Sequence, residues 1–234
     1  MIYDNYCSVR DQVDQAALKA GRDPKDVKLI AVSKTKPLSM IEELYQHGVH
    51  AFGENHVQEL EEKQLAAPQK DIEWHFIGHL QRNKVKKLLS LNVSLIHSVD
   101  SLALAKTIEK EAAKQGRSVS ILVELNIGKE ESKMGADPDT AVDLVKAISQ
   151  ECPHLLVKGL MCVAPAMDDE EKVRPYFAKM RQLKEEIGAL GLDRVDMKEL
   201  SMGMSGDYHA AIAEGATMVR VGTAIFGARD YSKK

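Results

Sequence analysis

The stretch "VKLIAVSKTKPLSMIEELYQHG" (residues 27–48) holds a complete strand–turn–helix unit. Its opening run, "VKLIAVSK" (27–34), is short, apolar and rich in β-branched side chains, which reads as a buried strand. Pro37 steers Lys36 away from helical angles and stops the strand. "SMIE" (39–42) then reads as a capping box, with Ser39 at the N-cap and Glu42 answering it, and Gly48 would end the helix.

The same alternation runs through the chain. Seven more strand candidates follow: "HAFGEN" (50–55), "EWHFIG" (73–78), "SLIHSVD" (94–100), "SILVELNI" (120–127), "VKGLMCVAP" (157–165), "MKELSMGM" (197–204) and "TMVRVGTAIFG" (217–227). Between them lie helix-period segments. Ala141, Leu144, Val145 and Ile148 form one stripe, and Val173, Tyr176, Phe177, Met180, Leu183 and Ile187 form a longer one. Strands separated by helices imply right-handed crossovers and a parallel sheet. Eight such units in 234 residues suit a (β/α)8 TIM barrel. Ahead of the first strand, Val9, Val13, Ala16, Ala17 and Ala20 mark an extra N-terminal helix that Gly21 would terminate. The rival doubly wound sheet lacks its G-x-G-x-x-G turn after the first strand. No linker, low-complexity tract or repeat of fixed period divides the chain, so residues 1–234 are expected to form a single domain.

Composition narrows the function classes. A hydrophobic content of 44% with 29% charged residues is that of a soluble globular protein. A net charge of −3 offers no footprint for nucleic acid or an anionic membrane, and "RNKVKK" (82–87) reads as a solvated helix face. Cys7, Cys152 and Cys162 are scattered, which argues against a disulfide framework or a thiolate zinc site. The start, "MIYDNYCSVRDQ", lacks the features of a signal peptide, and no run approaches a membrane span, so a cytoplasmic location is expected.

Active sites of such barrels gather at the C-terminal ends of the strands, where Lys34 stands on the first one. Alternation puts Lys34 on the face of Ile30 and Val32, with Ala31 and Ser33 on the other. If that face is the lumen, apolar walls favour the neutral amine, and Lys36 adds a like charge that pushes the same way. A neutral amine there is a nucleophile ready to form a Schiff base with an aldehyde. Taken alone, the segment fits better a lysine that snorkels to solvent. The far end of the chain changes that balance.

Barrels often bind phosphate with the loops after strands seven and eight. Here "SMGMSGD" (201–207) offers Ser201, Ser205 and two glycines before the helix "YHAAIAE", and "VGTAIFG" (221–227) offers Gly222 and Thr223. Either loop alone equally suits an ordinary βα turn; two in consecutive units are a more specific signal. Arg220 lies inside the apolar run "TMVRVGT" and needs an acceptor if it points inward. An aldehyde-reactive lysine, a phosphate cradle and a lumen cation together suit pyridoxal 5′-phosphate (PLP), with Arg220 at the ring nitrogen. A guanidinium there disfavours ring protonation and weakens the electron sink, which suits holding the cofactor or a modest racemase.

Seven motifs in order then carry a resemblance over the whole chain: "AVSKTKP" (31–37), "FGENHVQE" (52–59), "WHFIGHLQRNK" (74–84), "ELNIGKEESKMG" (124–135), "GLMCVAP" (159–165), "LSMGMSGD" (200–207) and "VRVGTAIFGAR" (219–229). In these the sequence resembles the pyridoxal phosphate homeostasis protein family. The resemblance implies a fold-type III PLP-binding barrel like the N-terminal domain of alanine racemase, and a role in PLP supply without robust turnover. It makes Lys34 the Schiff-base lysine, puts Asn55 near the cofactor and gives the phosphate to Ser201, Gly222 and Thr223. It places Arg220 at the ring nitrogen, with the phosphate as the arginine's alternative partner. Lys36, Met204 and Ser205 are secondary candidates. His56 departs from the tyrosine common after "GEN" and is expected at the rim.

Other readings are weaker. His75 and His79 share no helix face, and His47, His50 and His56 complete no ligand set, so no metal is expected. Met161, Met202 and Met204 are expected to be core filler. "KEESK" (129–133) reads as a solvated loop from which Lys133 reaches toward the barrel mouth. The alternative function is a small fold-type III amino-acid racemase, which needs an acid/base on each face of the substrate carbon. The sequence ends at "YSKK", soon after its eighth strand, so no further domain is expected to supply the second base. A monomer that serves PLP-dependent apo-enzymes is therefore the expectation.

Overall fold

The computed structural model describes residues 1–67 and 71–228. The eight apolar runs become β1 (Lys28–Val32), β2 (Ala51–Glu54), β3 (Glu73–Phe76), β4 (Leu95–Val99), β5 (Val119–Leu125), β6 (Leu155–Cys162), β7 (Val195–Ser201) and β8 (Met218–Val221). The helices are α1 (Ile2–Lys19), α2 (Leu38–Gln46), α3 (Val57–Ala66), α4 (Val85–Leu89), α5 (Leu102–Lys114), α6 (Ala141–Glu151), α7 (Glu170–Gly188), α8 (Tyr208–Ala213) and α9 (Thr223–Phe226). Neighbouring strands run parallel in chain order, and β8 pairs with β1 to close the barrel.

Two apolar clusters follow from strand alternation. Leu29 and Ala31 face the shell between sheet and helices, whereas Ile30 joins Leu95, Leu122, Met161 and Met218 inside the lumen. The face of β1 that carries Ile30 is therefore the inner one. The helices cover the outside with the stripes their spacing predicts. Ala141, Val145 and Ile148 are buried on α6, and α7 buries Val173, Phe177, Met180, Leu183 and Ile187. Each of these side chains larger than alanine contributes about 1.5–3 kcal/mol of burial free energy.

The extra helix α1 packs against α2, α8 and α9, across the seam where the barrel closes. The Asn5 side chain donates to the Ile225 carbonyl of α9 at 3.0 Å, and Tyr208 of α8 donates its hydroxyl to Gln12 at 2.7 Å. Gly21 and Gly48 follow the ends of α1 and α2 with left-handed φ of +71° and +82°, as expected of helix stops. Among the described residues no helix is long and apolar enough to cross a membrane.

Three local expectations change. Ser39 is not an N-cap: α2 begins at Leu38 behind Pro37, and no side chain caps it. Pro37 already has the extended backbone an N-cap requires, so the helix starts before the predicted box and encloses Ser39 and Glu42. The run at 217–227 is strand only to Val221. Gly222 breaks it, and Thr223–Phe226 form α9. The seventh strand starts at Val195 and ends at Ser201, which leaves "MGM" (202–204) in the loop. Arg229 and the "YSKK" end lie outside the described residues.

β6 carries an irregularity near Lys158 against both β5 and β7. Gly159 follows it, and a β-carbon there would stand 1.9 Å from the Glu199 carbonyl oxygen of β7. Gly159→Ala should therefore open the β6–β7 seam and lower unfolding free energy by about 1–3 kcal/mol, measured by urea denaturation. A stability equal to wild type would show that this seam shifts without cost.

Candidate functional site

The first strand delivers Lys34 on an unusual turn. Ser33–Lys36 is closed by the Lys36 amide donating to the Ser33 carbonyl at 3.0 Å. Thr35 holds φ at +64°, and a β-branched residue in that region is strained by about 1–3 kcal/mol. Such strain persists only where the surroundings impose it. Lys34, half-buried, is the second residue of the turn. Lys36 is directed elsewhere: its ammonium donates to the carbonyls of Phe226, Gly227 and Ala228 at 3.1, 3.0 and 2.9 Å. It thus caps the C-terminal end of α9, which favours a cation.

Barrel closure brings the last two loops to this corner. Ala31 pairs with Val221, and a β-carbon on Gly222 would meet the Val32 carbonyl at 3.3 Å. α9 starts directly afterwards, and the first amides of any helix lack partners within it. In the β7 loop Gly203 has φ +94°, where a β-carbon would also strike Ala211. The Gly203 carbonyl accepts the Arg220 amide at 3.0 Å, which ties the β7 loop to β8. The Met204 amide is taken by the Asp207 carboxylate at 2.6 Å. Among the described residues, the N–H groups of Ser205, Gly206 and Gly222 donate to no protein acceptor. Ser205 and Thr223 are exposed, and Met204 is 37% exposed, so this methionine is not core filler; Met161 and Met202 are buried.

Arg220 points into the lumen and is 4% exposed. It donates to the Ser201 hydroxyl at 2.6 Å and to the Cys162 carbonyl at 2.8 Å. Both acceptors are neutral. Ser201 has no exposed surface and also meets His97 Nδ1 at 2.9 Å; His97 Nε2 in turn meets His75 Nδ1 at 2.9 Å. Arg220 needs Ser201 as an acceptor, which leaves the serine proton for His97 Nδ1 and the His97 Nε2–H for His75. His75 Nε2 then carries its proton toward Glu73, 3.8 Å away and beyond hydrogen-bond reach. The opposite direction would aim a lone pair at that carboxylate. Burial pushes the pKa of His75 down and that of His97 well down, so this row is neutral. Burial also raises the Glu124 carboxyl on β5 to about 7 and the Cys162 thiol to about 12. Glu124 thus carries a proton part of the time near neutrality, and Cys162 is inert.

The remaining candidates sort by position. Asn55 follows β2, and its Oδ1 is buried with no protein partner. His56, the N-cap of α3, is exposed at the rim as expected. Lys133 donates to the Ala164 carbonyl at 3.0 Å and pairs with Glu130 at 2.6 Å. It lines an open cavity of about 330 Å³ with Val163, Pro165, Met167, Met204 and Asp207, beside the β7 loop. No three His, Cys, Asp or Glu side chains among the described residues converge as metal ligands. The sequence reading passed over His97, Glu124, Glu54 and Lys63. Glu124, His97 and Glu54 left a signal, as polar residues inside the strand runs "SILVELNI", "SLIHSVD" and "HAFGEN"; Lys63 left none.

Fold and site together define an alanine racemase-type barrel: residues 7–230 match the family model described as alanine racemase, N-terminal domain. Alanine racemase from Corynebacterium glutamicum superposes with a TM-score of 0.71 at 16% identity, over 97% of this chain and 62% of that one, a likeness of fold. Within that class the chain belongs to the pyridoxal phosphate homeostasis protein family. It is 44% identical over 223 residues to the Aquifex aeolicus protein of that name, covering 95% of this chain and 96% of the relative. It is 40% identical over 237 residues to the human one, covering 97% and 86%. PipY of Synechococcus elongatus PCC7942, solved with PLP bound, superposes with a TM-score of 0.84 at 36% identity, over 97% of this chain and 100% of PipY.

The buried row gives stability a pH dependence. His97 ionises below its ordinary value of 6.5, so the folded state binds fewer protons than the unfolded one, and stability falls as pH drops below 6.5. Glu124 has the opposite sign: raised to about 7, it stabilises the fold at low pH and withdraws that contribution as pH rises through 7. The difference in unfolding free energy between wild type and His97→Gln isolates the histidine. It should shrink as pH falls from about 7 to about 5 in urea denaturation. A constant difference would mean that His97 ionises alike in both states.

Proposed function

We infer that this chain binds PLP in the barrel mouth and serves its homeostasis by storing, buffering and delivering it, without robust turnover. The observation that carries the reading is Arg220, a buried cation that donates to a hydroxyl and a carbonyl, both neutral, on the strand next to β1 and close to loops with unused amides. The residues fit the cofactor at each end. Lys34 would hold the aldehyde carbon as a Schiff base. The amides of Ser205, Gly206, Gly222 and Thr223 and the Thr223 hydroxyl would take the phosphate. Ser201 would support that end from below by holding Arg220 in place, a change from direct phosphate contact. Arg220 would face the ring nitrogen, and Asn55, with its orphaned oxygen, would supply a further polar contact. Met204 would line the opening. Lys36 would anchor the Lys34 turn to α9 and not bind the cofactor.

When bound, PLP supplies an electrophilic aldehyde and an electron-accepting ring. Arg220 would keep the ring nitrogen unprotonated and so blunt the second property. That agrees with the name the relatives carry and disfavours the racemase alternative. The same reading takes residues 1–234 as one domain, monomeric and cytoplasmic, with PLP-dependent apo-enzymes as recipients.

Borohydride reduction of PLP-loaded protein should fix a pyridoxyl group on Lys34, read by peptide mapping; a label on Lys36 or Lys133 would overturn the assignment. Turnover in a sensitive racemase assay, abolished by Lys34→Ala, would favour the enzyme. Arg220→Gln should retain labelling at Lys34 but weaken PLP affinity about tenfold and shift the bound absorbance. Unchanged affinity and spectrum would remove Arg220 from the ring.

A further inference from the structure

Behind the Lys34 turn, between β1, β2 and α3, lies a buried ion cluster. Lys63 of α3 is 6% exposed, and lysines are seldom buried unless paired. All three of its donor positions are used: the Ser33 carbonyl at 2.8 Å, Glu54 Oε1 at 2.6 Å and Glu59 Oε1 at 2.7 Å. The same carboxylate oxygens reach the turn directly. Glu54 accepts the Ser33 hydroxyl at 2.6 Å, and Glu59 accepts the Thr35 amide at 2.5 Å.

These contacts fall on residues 33 and 35, the two neighbours of Lys34. That distribution is informative. An ion pair that merely fastened α3 to the sheet would have no need to hold the Ser33 carbonyl, the Ser33 hydroxyl and the Thr35 amide together. Buried ion pairs are also poor devices for stability, because desolvation offsets their attraction. Glu54 is fully buried, and one of its oxygens has no protein partner, so the cluster is not tuned for stability alone. What it secures is a turn in which Thr35 sits at a φ its side chain disfavours.

We propose that Lys63 is a positioning residue for Lys34: with Glu54 and Glu59 it locks the strained Ser33–Lys36 turn and so aims the Lys34 amine at the barrel mouth. The proposal rests on the reading of Lys34 as the PLP attachment point. Lys63 touches no substrate or cofactor; it acts through the backbone on either side of Lys34.

The test uses the full chain and pairs Lys63→Met with Glu54→Gln, so that no carboxylate is left buried opposite nothing. Glu59→Ala, at a partly exposed position, serves as a second variant that frees the Thr35 amide. Val145→Ala, a buried change on α6, is the control for lost stability. Two readouts are taken: the rate at which PLP becomes borohydride-trapped on Lys34, and amide hydrogen exchange across 33–36 without PLP. The double variant should trap PLP about tenfold more slowly or worse, and the Thr35 amide should exchange faster. Glu59→Ala should move both readouts in the same direction, and Val145→Ala neither. A folded double variant with wild-type trapping, or an equal slowing in Val145→Ala, would overturn the proposal alone. A wild-type protein with no label on Lys34 would overturn the binding reading and this proposal with it.

Discussion

Lys28 lies opposite Met218 and Ala31 opposite Val221, so the first strand of the barrel is hydrogen-bonded to the last. Closing a loop of that length costs entropy that grows only slowly with the number of residues, about (3/2)RT ln n. The pairing removes two exposed strand edges that would otherwise invite association. It also brings the Lys34 turn to Gly222 and the start of α9, far away in sequence. Both neighbouring elements reinforce the seam. α1 bonds to α8 and α9 across it, and Lys36 joins the β1 turn to the carbonyls beyond α9. A mouth assembled from the two ends of the chain exists only when the whole barrel is formed, which couples the site to global folding.

Inside that closed sheet, Ile30, Leu95, Leu122, Met161 and Met218 share the lumen with a row of polar groups. Arg220, Ser201, His97 and His75 are joined by consecutive hydrogen bonds, and the row is anchored by a permanent charge at one end. With both histidines neutral, nothing in the row cancels the arginine. Glu124 lies close enough to feel it, yet burial keeps its carboxyl protonated up to about 7. Taking a cation out of water without a counter-charge is expensive. On the reading proposed above, that field is available to an acceptor arriving from outside.

The barrel was legible because its signal is repeated. Eight apolar runs alternate with helical stripes, and right-handed crossovers leave few ways to arrange them. The positions of Lys34 and Gly222 after their strands, and of Arg220 inside β8, were legible for another reason: charges and glycines interrupt apolar runs there. The helix start at Leu38 and the short α9 escaped, because proline and glycine set those boundaries locally and capping patterns do not. The bonds of Lys36 to the carbonyls beyond α9 were not legible, since its partners lie about 190 residues away. Lys63 was invisible: "ELEEKQ" looks like a solvated helix face, and only the packing of α3 on β1 and β2 shows that its lysine is inside. Polar residues with distant partners leave no periodicity to read.

The two buried cations flank β1 on opposite sides of the sheet, and their partners differ in kind. Lys63 meets two carboxylates and a carbonyl, all at 2.8 Å or less, and each of its donors is spent. Arg220 meets a hydroxyl and a carbonyl, both uncharged. Charge-assisted pairs are roughly twice as strong as neutral ones, so the first cation is electrostatically complete and the second is not. Neutral partners around Lys63 would leave the Thr35 amide and the Ser33 carbonyl without the charged groups that now hold them. Rigidity on the outer face and unspent charge on the inner one are complementary requirements of a single strand. β1 can meet them together because its side chains alternate between the shell and the lumen.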